Sequence, residues 1–204
     1  MKKILTIILL LIPSLVFAGN KLEDSLSIGQ KAPDFKLPTA YGKSITLSDE
    51  IEKGPVVLSF YRGGWCPICN DQLYSFQENL EEIKKLGGQL IAISPETPSH
   101  AQKTAIKNHL KFEVVSDNGN KIAKEYGILW EVPKEGQDDF TYWLENSTGK
   151  TLEDYNANET FELPVPATFV IDTEGVVHYA FKDKDYTKRA DLNDVLDTLK
   201  KLKK

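Results

Sequence analysis

Val56-Val57-Leu58-Ser59-Phe60-Tyr61-Arg62-Gly63-Gly64-Trp65-Cys66-Pro67-Ile68-Cys69 decides the reading of this chain. Pro55 to Phe60 is short, apolar and β-branched, as a buried central strand should be. Tyr61 to Trp65 carries two glycines and reads as a loop. From near Cys66 to Leu86, Leu73, Phe76, Leu80 and Ile83 recur at helical spacing, and Gly87-Gly88 ends the run, so a helix begins at the cysteines. A Cys-x-x-Cys where a strand gives way to a helix is a redox motif. The unpaired N–H groups and partial positive charge of the helix N-terminus favour thiolate over thiol. They lower Cys66 from the free-thiol value of about 8.5. Cys69, one turn on, can resolve a mixed disulfide or a sulfenate by closing a Cys66–Cys69 bond.

Outward from this stretch, strands alternate with helices. Ala32 to Leu37 and Lys43 to Leu47 form a short hairpin around Tyr41-Gly42. Leu90 to Ser94 and Phe112 to Ser116 read as strands, with helices over Ser99 to Leu110 and Lys121 to Tyr126. Thr168 to Asp172 and Val176 to Ala180 flank the turn Thr173-Glu174-Gly175, and an amphipathic helix over Lys188 to Leu202 closes the chain. The expected architecture is α/β: a central mixed sheet flanked by helices, mostly parallel with an antiparallel edge, plus the N-terminal hairpin. Residues 128–163 are polar, turn-rich and studded with Trp130, Phe140, Tyr142, Trp143, Tyr155 and Phe161. They read as an insertion with its own helix or hairpin, first as a satellite core under a long loop, with packing beside the active site as the alternative.

The 204 residues suit one compact domain, here 19–204, with 41% hydrophobic and 27% charged residues. Residues 1–18 do not belong to it. Lys2-Lys3, the apolar run Leu5 to Phe17 and the small residues Val16 and Ala18 form a secretory signal peptide, cleaved after Ala18. The run is shorter than the roughly 20 residues that span a bilayer, and no later segment suits membrane insertion. The expected location is therefore periplasmic or secreted. Loss of Lys2 and Lys3 takes the formal charge from −5 to −7, which disfavours nucleic acid as a partner. The two cysteines close too short a loop to staple an exported domain. Zinc would need two more ligands, and His100, His109 and His178 are scattered. No metal and no cofactor is expected.

Several segments resemble the peroxiredoxin family (alkyl hydroperoxide reductase/thiol-specific antioxidant) of the thioredoxin superfamily. They are Ile28-Gly29-Gln30-Lys31-Ala32-Pro33-Asp34-Phe35, Val57 to Tyr61, Ile91 to Ser94, Val115-Ser116-Asp117 through Tyr126-Gly127, and Thr168 to Asp172 with Gly175. Tyr61 to Cys69 is similar to a Cys-x-x-Cys subgroup of that family. The resemblance implies a thioredoxin-like fold, antioxidant reduction of hydroperoxides through a Cys66/Cys69 dithiol–disulfide cycle, and a thioredoxin-like or membrane thiol reductase as electron donor. It has departures. Counting from Tyr61, Cys69 falls at the family's peroxidatic position, Cys66 replaces a threonine, Arg62 a proline, and Pro166 stands where an arginine is often found. Trp65-Cys66-Pro67-Ile68-Cys69 with Pro166 before Ala167 instead resembles thioredoxin-like disulfide reductases, in which the first cysteine attacks and the late proline is cis.

Two branches stay open. On the first, Cys69 takes the peroxide oxygen and Cys66 resolves. On the second, the substrate is a disulfide of another exported protein, Cys66 attacks, and Trp65 and Pro166 shape a peptide groove. A cis Val165–Pro166 bond would leave the Val165 backbone free to pair with that substrate; two trans prolines are the plain alternative. Arg62 lowers the thiolate pKa if it lies within some 4–6 Å and does nothing if solvated. Tyr61 and Trp65 either shield the site or are core. A third class is a binding module with a vestigial cysteine pair and the aromatic insertion as interface.

Overall fold

The computed structural model describes residues 22–203; the expected leader, 1–18, lies outside the described residues. The hairpin expected near the start is β1 (Lys36–Pro38) and β2 (Ser44–Thr46), paired antiparallel with Leu37 opposite Ile45. After α1 (Leu47–Ile51) come β3 (Val56–Phe60), α2 (Pro67–Glu78), α3 (Leu80–Lys85), β4 (Gln89–Ser94), α4 (Pro98–Lys107), β5 (Glu113–Ser116) and α5 (Lys121–Glu125). The segment 128–163 supplies β6 (Leu129–Glu131), α6 (Gln137–Thr148) and α7 (Leu152–Asn156), and leads into β7 (Glu162–Pro164). β8 (Ala167–Ile171), β9 (Val177–Lys182) and α8 (Leu192–Leu202) complete the chain.

The central sheet runs β5-β4-β3-β8-β9. β3 lies at its middle, parallel to β4 and antiparallel to β8, with Leu58 opposite Ile91 on one side and Phe169 on the other. All five of its residues are buried, which is why the run reads as apolar without alternation. Its side chains still divide by face. Val56, Leu58 and Phe60 join Phe169, Ile93, Tyr126 and Ile128. Val57 meets Phe76, Ile83, Val195 and Leu199 from α2, α3 and α8. Helices thus cover both faces, and β3 delivers the chain directly into the Tyr61–Cys66 loop. The mixed sheet, hairpin and flanking helices are those expected from sequence, but the sheet is not mostly parallel: β3–β4 and β4–β5 are parallel, whereas β3–β8 and β8–β9 are antiparallel.

The single helix expected from Cys66 to Leu86 is two. Asn79, with φ −105° and ψ 9°, interrupts it. Its side-chain amide donates to the Ser75 carbonyl, and its own carbonyl accepts from Glu82 and Ile83 to start α3, the local competition with helix that asparagine brings. The apolar spacing continues across the break because Leu73, Phe76, Leu80 and Ile83 all stay buried.

The insertion is not a satellite. Leu144 of α6, Leu152 of α7 and Leu163 of β7 share one core cluster with Trp65, Cys66 and Cys69, so the alternative of packing beside the active site is the one the fold adopts. β6 and β7 pair antiparallel, with Leu129 opposite Pro164, and close the insertion at its neck. Leu144 is fully buried. Leu144→Ala is expected to lower the unfolding free energy by about 2–5 kcal/mol within a single cooperative denaturant transition. A separate early transition for the insertion would contradict this shared core.

Candidate active site

The strand-to-helix junction is built by backbone. Cys66, at φ −85° and ψ 114°, is the N-cap of α2, and Pro67 takes the first helical position, where its missing N–H costs nothing and its fixed φ suits the helix. The Cys66 N–H donates to Gly63 and its carbonyl accepts from Asn70. The Asn70 side chain donates to the carbonyls of Gly64 and Cys66 and accepts from Asn108, the C-cap of α4, so it ties the loop down on both sides. Gly63 and Gly64 are needed sterically. A Cβ on Gly63 would lie 2.2 Å from the Trp65 indole nitrogen, and one on Gly64 1.9 Å from the Thr104 hydroxyl.

Beneath the loop lies Glu96, a buried carboxyl. Tyr61 donates its hydroxyl to Glu96 Oε2 at 3.1 Å, Ser94 and Thr104 donate at 3.2 Å, and the Gly64 N–H also donates. Burial nevertheless holds this carboxyl above the ordinary carboxylate range. Tyr61 is therefore core, and its hydroxyl fixes the floor of the loop.

Both cysteines are free thiols and each is 1% exposed. Their environments differ. The Cys69 thiol donates a hydrogen bond to the Cys66 sulfur, and Arg62 adds its charge and a guanidinium hydrogen bond from Nη2 at 3.4 Å. Together they outweigh burial and bring Cys66 down to about 5. Burial and the negative Cys66 beside it push Cys69 up instead, against the Arg62 backbone N–H and the Arg189 guanidinium. Arg62 is not solvated: it is 7% exposed, with its guanidinium carbon 4.2 Å from the Tyr186 ring centre and 5.3 Å from that of Trp65. This aromatic bracket both holds and desolvates the cation.

Cys66, with Arg62, Pro67 and Ile68, forms one wall of a cavity of about 460 Å³. The insertion supplies the other wall through Trp130, Asp139, Phe140 and Trp143, and Tyr186 stands at its edge. Trp65 does not line it but supports it, with its ring 5.6 Å from Phe140 and 6.1 Å from Trp143.

Of the residues singled out in the sequence, the fold brings together Tyr61, Arg62, Trp65, Cys66, Pro67 and Cys69. Val165 and Pro166 do not line the cavity. Among the described residues no peptide bond is cis, so the Val165–Pro166 bond is trans. The Val165 N–H donates to Ile128 at 2.8 Å and the Pro166 carbonyl accepts from Asp183. The plain alternative of two trans prolines is the one adopted, and the backbone that a cis bond would have left open to a substrate is occupied in closing the insertion. Val165 packs with Phe60 and Phe169, and neither it nor Pro166 lines the cavity. The aromatic side chains of the insertion take the place expected of Trp65 and Pro166.

Sequence reasoning missed Asn70, Glu96, Tyr186 and Arg189. Arg189, in the loop between β9 and α8, donates from Nη2 to the Cys69 sulfur at 3.4 Å. One signal was available: Arg62 and Arg189 are the only arginines in the chain, against a lysine-rich remainder. No group of three or more metal-ligating side chains is assembled among the described residues, and no helix among them is long and apolar enough to cross a membrane.

The chain is similar to several known proteins. A chloroplastic peroxiredoxin Q of Populus jackii is 37% identical over 117 residues, 57% of this chain and 54% of the relative. The thiol-disulfide oxidoreductase ResA of Bacillus thuringiensis is 32% identical over 141 residues, 69% of this chain and 76% of the relative. The chain spans 54%, 60% and 47% of the length of the peroxiredoxin Q relatives from Populus jackii, Triticum aestivum and Gentiana triflora. Among solved structures, peroxidoxin BcpB from Mycobacterium tuberculosis superposes with a TM-score of 0.69 at 22% identity, over 88% of this chain and 99% of that one, a likeness of fold. The model of the AhpC/TSA family matches residues 28–180, three quarters of the sequence and the whole strand–loop–helix unit that carries Cys66 and Cys69, and the chain belongs to that family.

Proposed function

We propose that this protein is a thiol oxidoreductase that reduces hydroperoxides, with Cys66 as the attacking thiolate and Cys69 as the resolving thiol. The observation that carries the proposal is the unequal setting of the two sulfurs. Cys66 stands at a helix N-terminus on the wall of a cavity with a guanidinium on its sulfur, and is lowered to about 5. Cys69 lies one turn inside, does not line that cavity and is raised. The thiolate is the nucleophile, so Cys66 is charged and accessible from the cavity at neutral pH while Cys69 is neither.

In the first step the Cys66 sulfur attacks one peroxide oxygen, the O–O bond breaks, and the alkoxide or hydroxide leaves with a proton as alcohol or water. Cys66 is left as a sulfenic acid. The Arg62 guanidinium, already on the sulfur, can follow the charge onto the departing oxygen, as a preorganised donor does. Cys69 then attacks the Cys66 sulfur, hydroxide leaves and becomes water, and the Cys66–Cys69 disulfide is left two electrons more oxidised than the dithiol, those electrons having passed to the peroxide. A thioredoxin-like or membrane thiol reductase would restore the dithiol.

Burial supports a small oxidant. Cys66, a residue 1% exposed, is reached by a hydroperoxide entering the cavity more readily than by a disulfide held in a folded partner. The peroxiredoxin Q relatives support the same choice. Disulfide exchange with an exported protein remains the second reading. The ResA relative favours it, and so does the ordering of the two thiols, which suits exchange equally well. We further propose export, on the pattern Lys2-Lys3, Leu5 to Phe17 and Ala18.

Oxidation of the reduced protein by hydrogen peroxide, with a sulfenate trap and mass spectrometry, tests the roles. Wild type should form the Cys66–Cys69 disulfide. Cys69→Ser should stop at a Cys66 sulfenate, and Cys66→Ser should react no faster than a free thiol. Rapid sulfenate formation on Cys69 in Cys66→Ser would reverse the roles. Wild-type oxidation no faster than a free thiol, with ready exchange against a peptide disulfide, would select the second reading. Expression with the native leader in a bacterium should give a protein beginning at Gly19; a retained Met1 would remove export.

A further inference from the structure

The chain's two arginines each address a different cysteine sulfur at the same distance. Arg62 Nη2 lies 3.4 Å from Cys66, and Arg189 Nη2 lies 3.4 Å from Cys69. Arg62 has its part in the first step. Arg189 has none there, because Cys69 is then a neutral thiol donating to its neighbour.

Arg189 is nevertheless firmly placed. Its Nη1 donates to the carbonyls of Tyr186 at 2.7 Å and Lys188 at 2.6 Å. These carbonyls fix the guanidinium plane without cancelling its charge, and among the described residues no carboxylate pairs with it. Its Nε is buried without a partner. The same loop sends Tyr186 over Arg62, so one segment steadies the cation of each sulfur.

We propose that Arg189 is a catalytic residue of the resolving step: its guanidinium holds the Cys69 sulfur as a thiolate once Cys66 has been consumed. The proposal rests on the reading in which Cys66 attacks first. Its physical ground is the change in what faces Cys69. Before reaction the groups around that sulfur are the Cys66 thiolate, the Arg62 backbone N–H, Arg189, and Tyr61 with Glu96 behind it. Burial opposes ionisation of Cys69 most, and the hydrogen bond to Cys66 and the Cys66 charge add to it. Conversion of Cys66 to a sulfenic acid or a mixed disulfide removes that charge. What stays is a buried sulfur with a cation at 3.4 Å, and an opposite charge within about 4–6 Å favours the ionised form by one to three pKa units. The Cys69 thiolate then forms the S–S bond while the S–O bond of the sulfenic acid, or the S–S bond to a bound partner, breaks. The leaving hydroxide or thiolate takes up a proton. The arginine that the family resemblance places near the late strand is absent at Pro166; here a different arginine, from the loop after β9, serves the other half of the cycle.

The test separates the two half-steps without peroxide. Reduced protein receives one equivalent of dithiobis(nitrobenzoate). The first release of thionitrobenzoate reports attack by Cys66, and the second reports its expulsion by Cys69. Arg189→Gln should slow the second release about tenfold relative to the first and move its pH midpoint up by about one unit or more. Arg189→Lys keeps the charge and should restore most of that midpoint. A merely structural role would lower the melting temperature of both variants and leave the midpoint where it is. A second release with wild-type rate and midpoint in Arg189→Gln overturns the proposal. Failure of the underlying reading looks different: the first release would survive Cys66→Ser and vanish in Cys69→Ser.

Discussion

Cys66 and Cys69 are each 1% exposed, so a negative charge on either sulfur must be balanced by the protein rather than by water. Desolvating an ion without compensation is costly enough that the group neutralises instead. The fold meets this constraint with a helix N-terminus, a neighbouring thiol and two guanidinium groups, one on each sulfur. Much else follows from it. The Tyr61–Cys66 loop is pinned by Asn70 and by Gly64 on Glu96, so that Cys66 meets the cation at a fixed place. Tyr186 covers Arg62, and the Tyr186 carbonyl orients Arg189. The ordering of the two thiols is thus a property of the packing around them, not of the Cys-x-x-Cys spacing alone.

The insertion works on the same constraint from the opposite side. Leu144, Leu152 and Leu163 anchor it in the cluster that contains the cysteines, and Trp130, Phe140 and Trp143 wall the cavity in front of Cys66. An apolar wall excludes water and strengthens the electrostatic contacts behind it. Of the two cysteines, Cys66 lines this cavity and Cys69 does not. Closing that wall uses the backbone of Val165 and Pro166, the place where the sequence alone left room for a pairing substrate.

The fold was legible because its signals are local. β3 is a short apolar run, Gly87-Gly88 ends the helical segment, and the turn at Thr173-Glu174-Gly175 announces the last hairpin. The active-site junction was legible for the same reason, since Tyr61 to Cys69 are contiguous. What stayed hidden depends on contacts distant in sequence. Arg189 reaches Cys69 across 120 positions, and Glu96 reaches Tyr61 across 35. The break at Asn79 was hidden differently, because the buried face runs on through it. The aromatic side chains of 128–163 signalled packing, but nothing in their spacing said against what.

Titration of both cysteines in the reduced protein, followed residue by residue through their ¹³Cβ resonances, tests the central claim most directly. The account predicts that Cys66 ionises first, near pH 5, while Cys69 stays protonated through neutral pH. Arg62→Ala should move the first midpoint up by about a unit. Ionisation of Cys69 before Cys66, or a Cys66 midpoint near the free-thiol value of about 8.5, would contradict it.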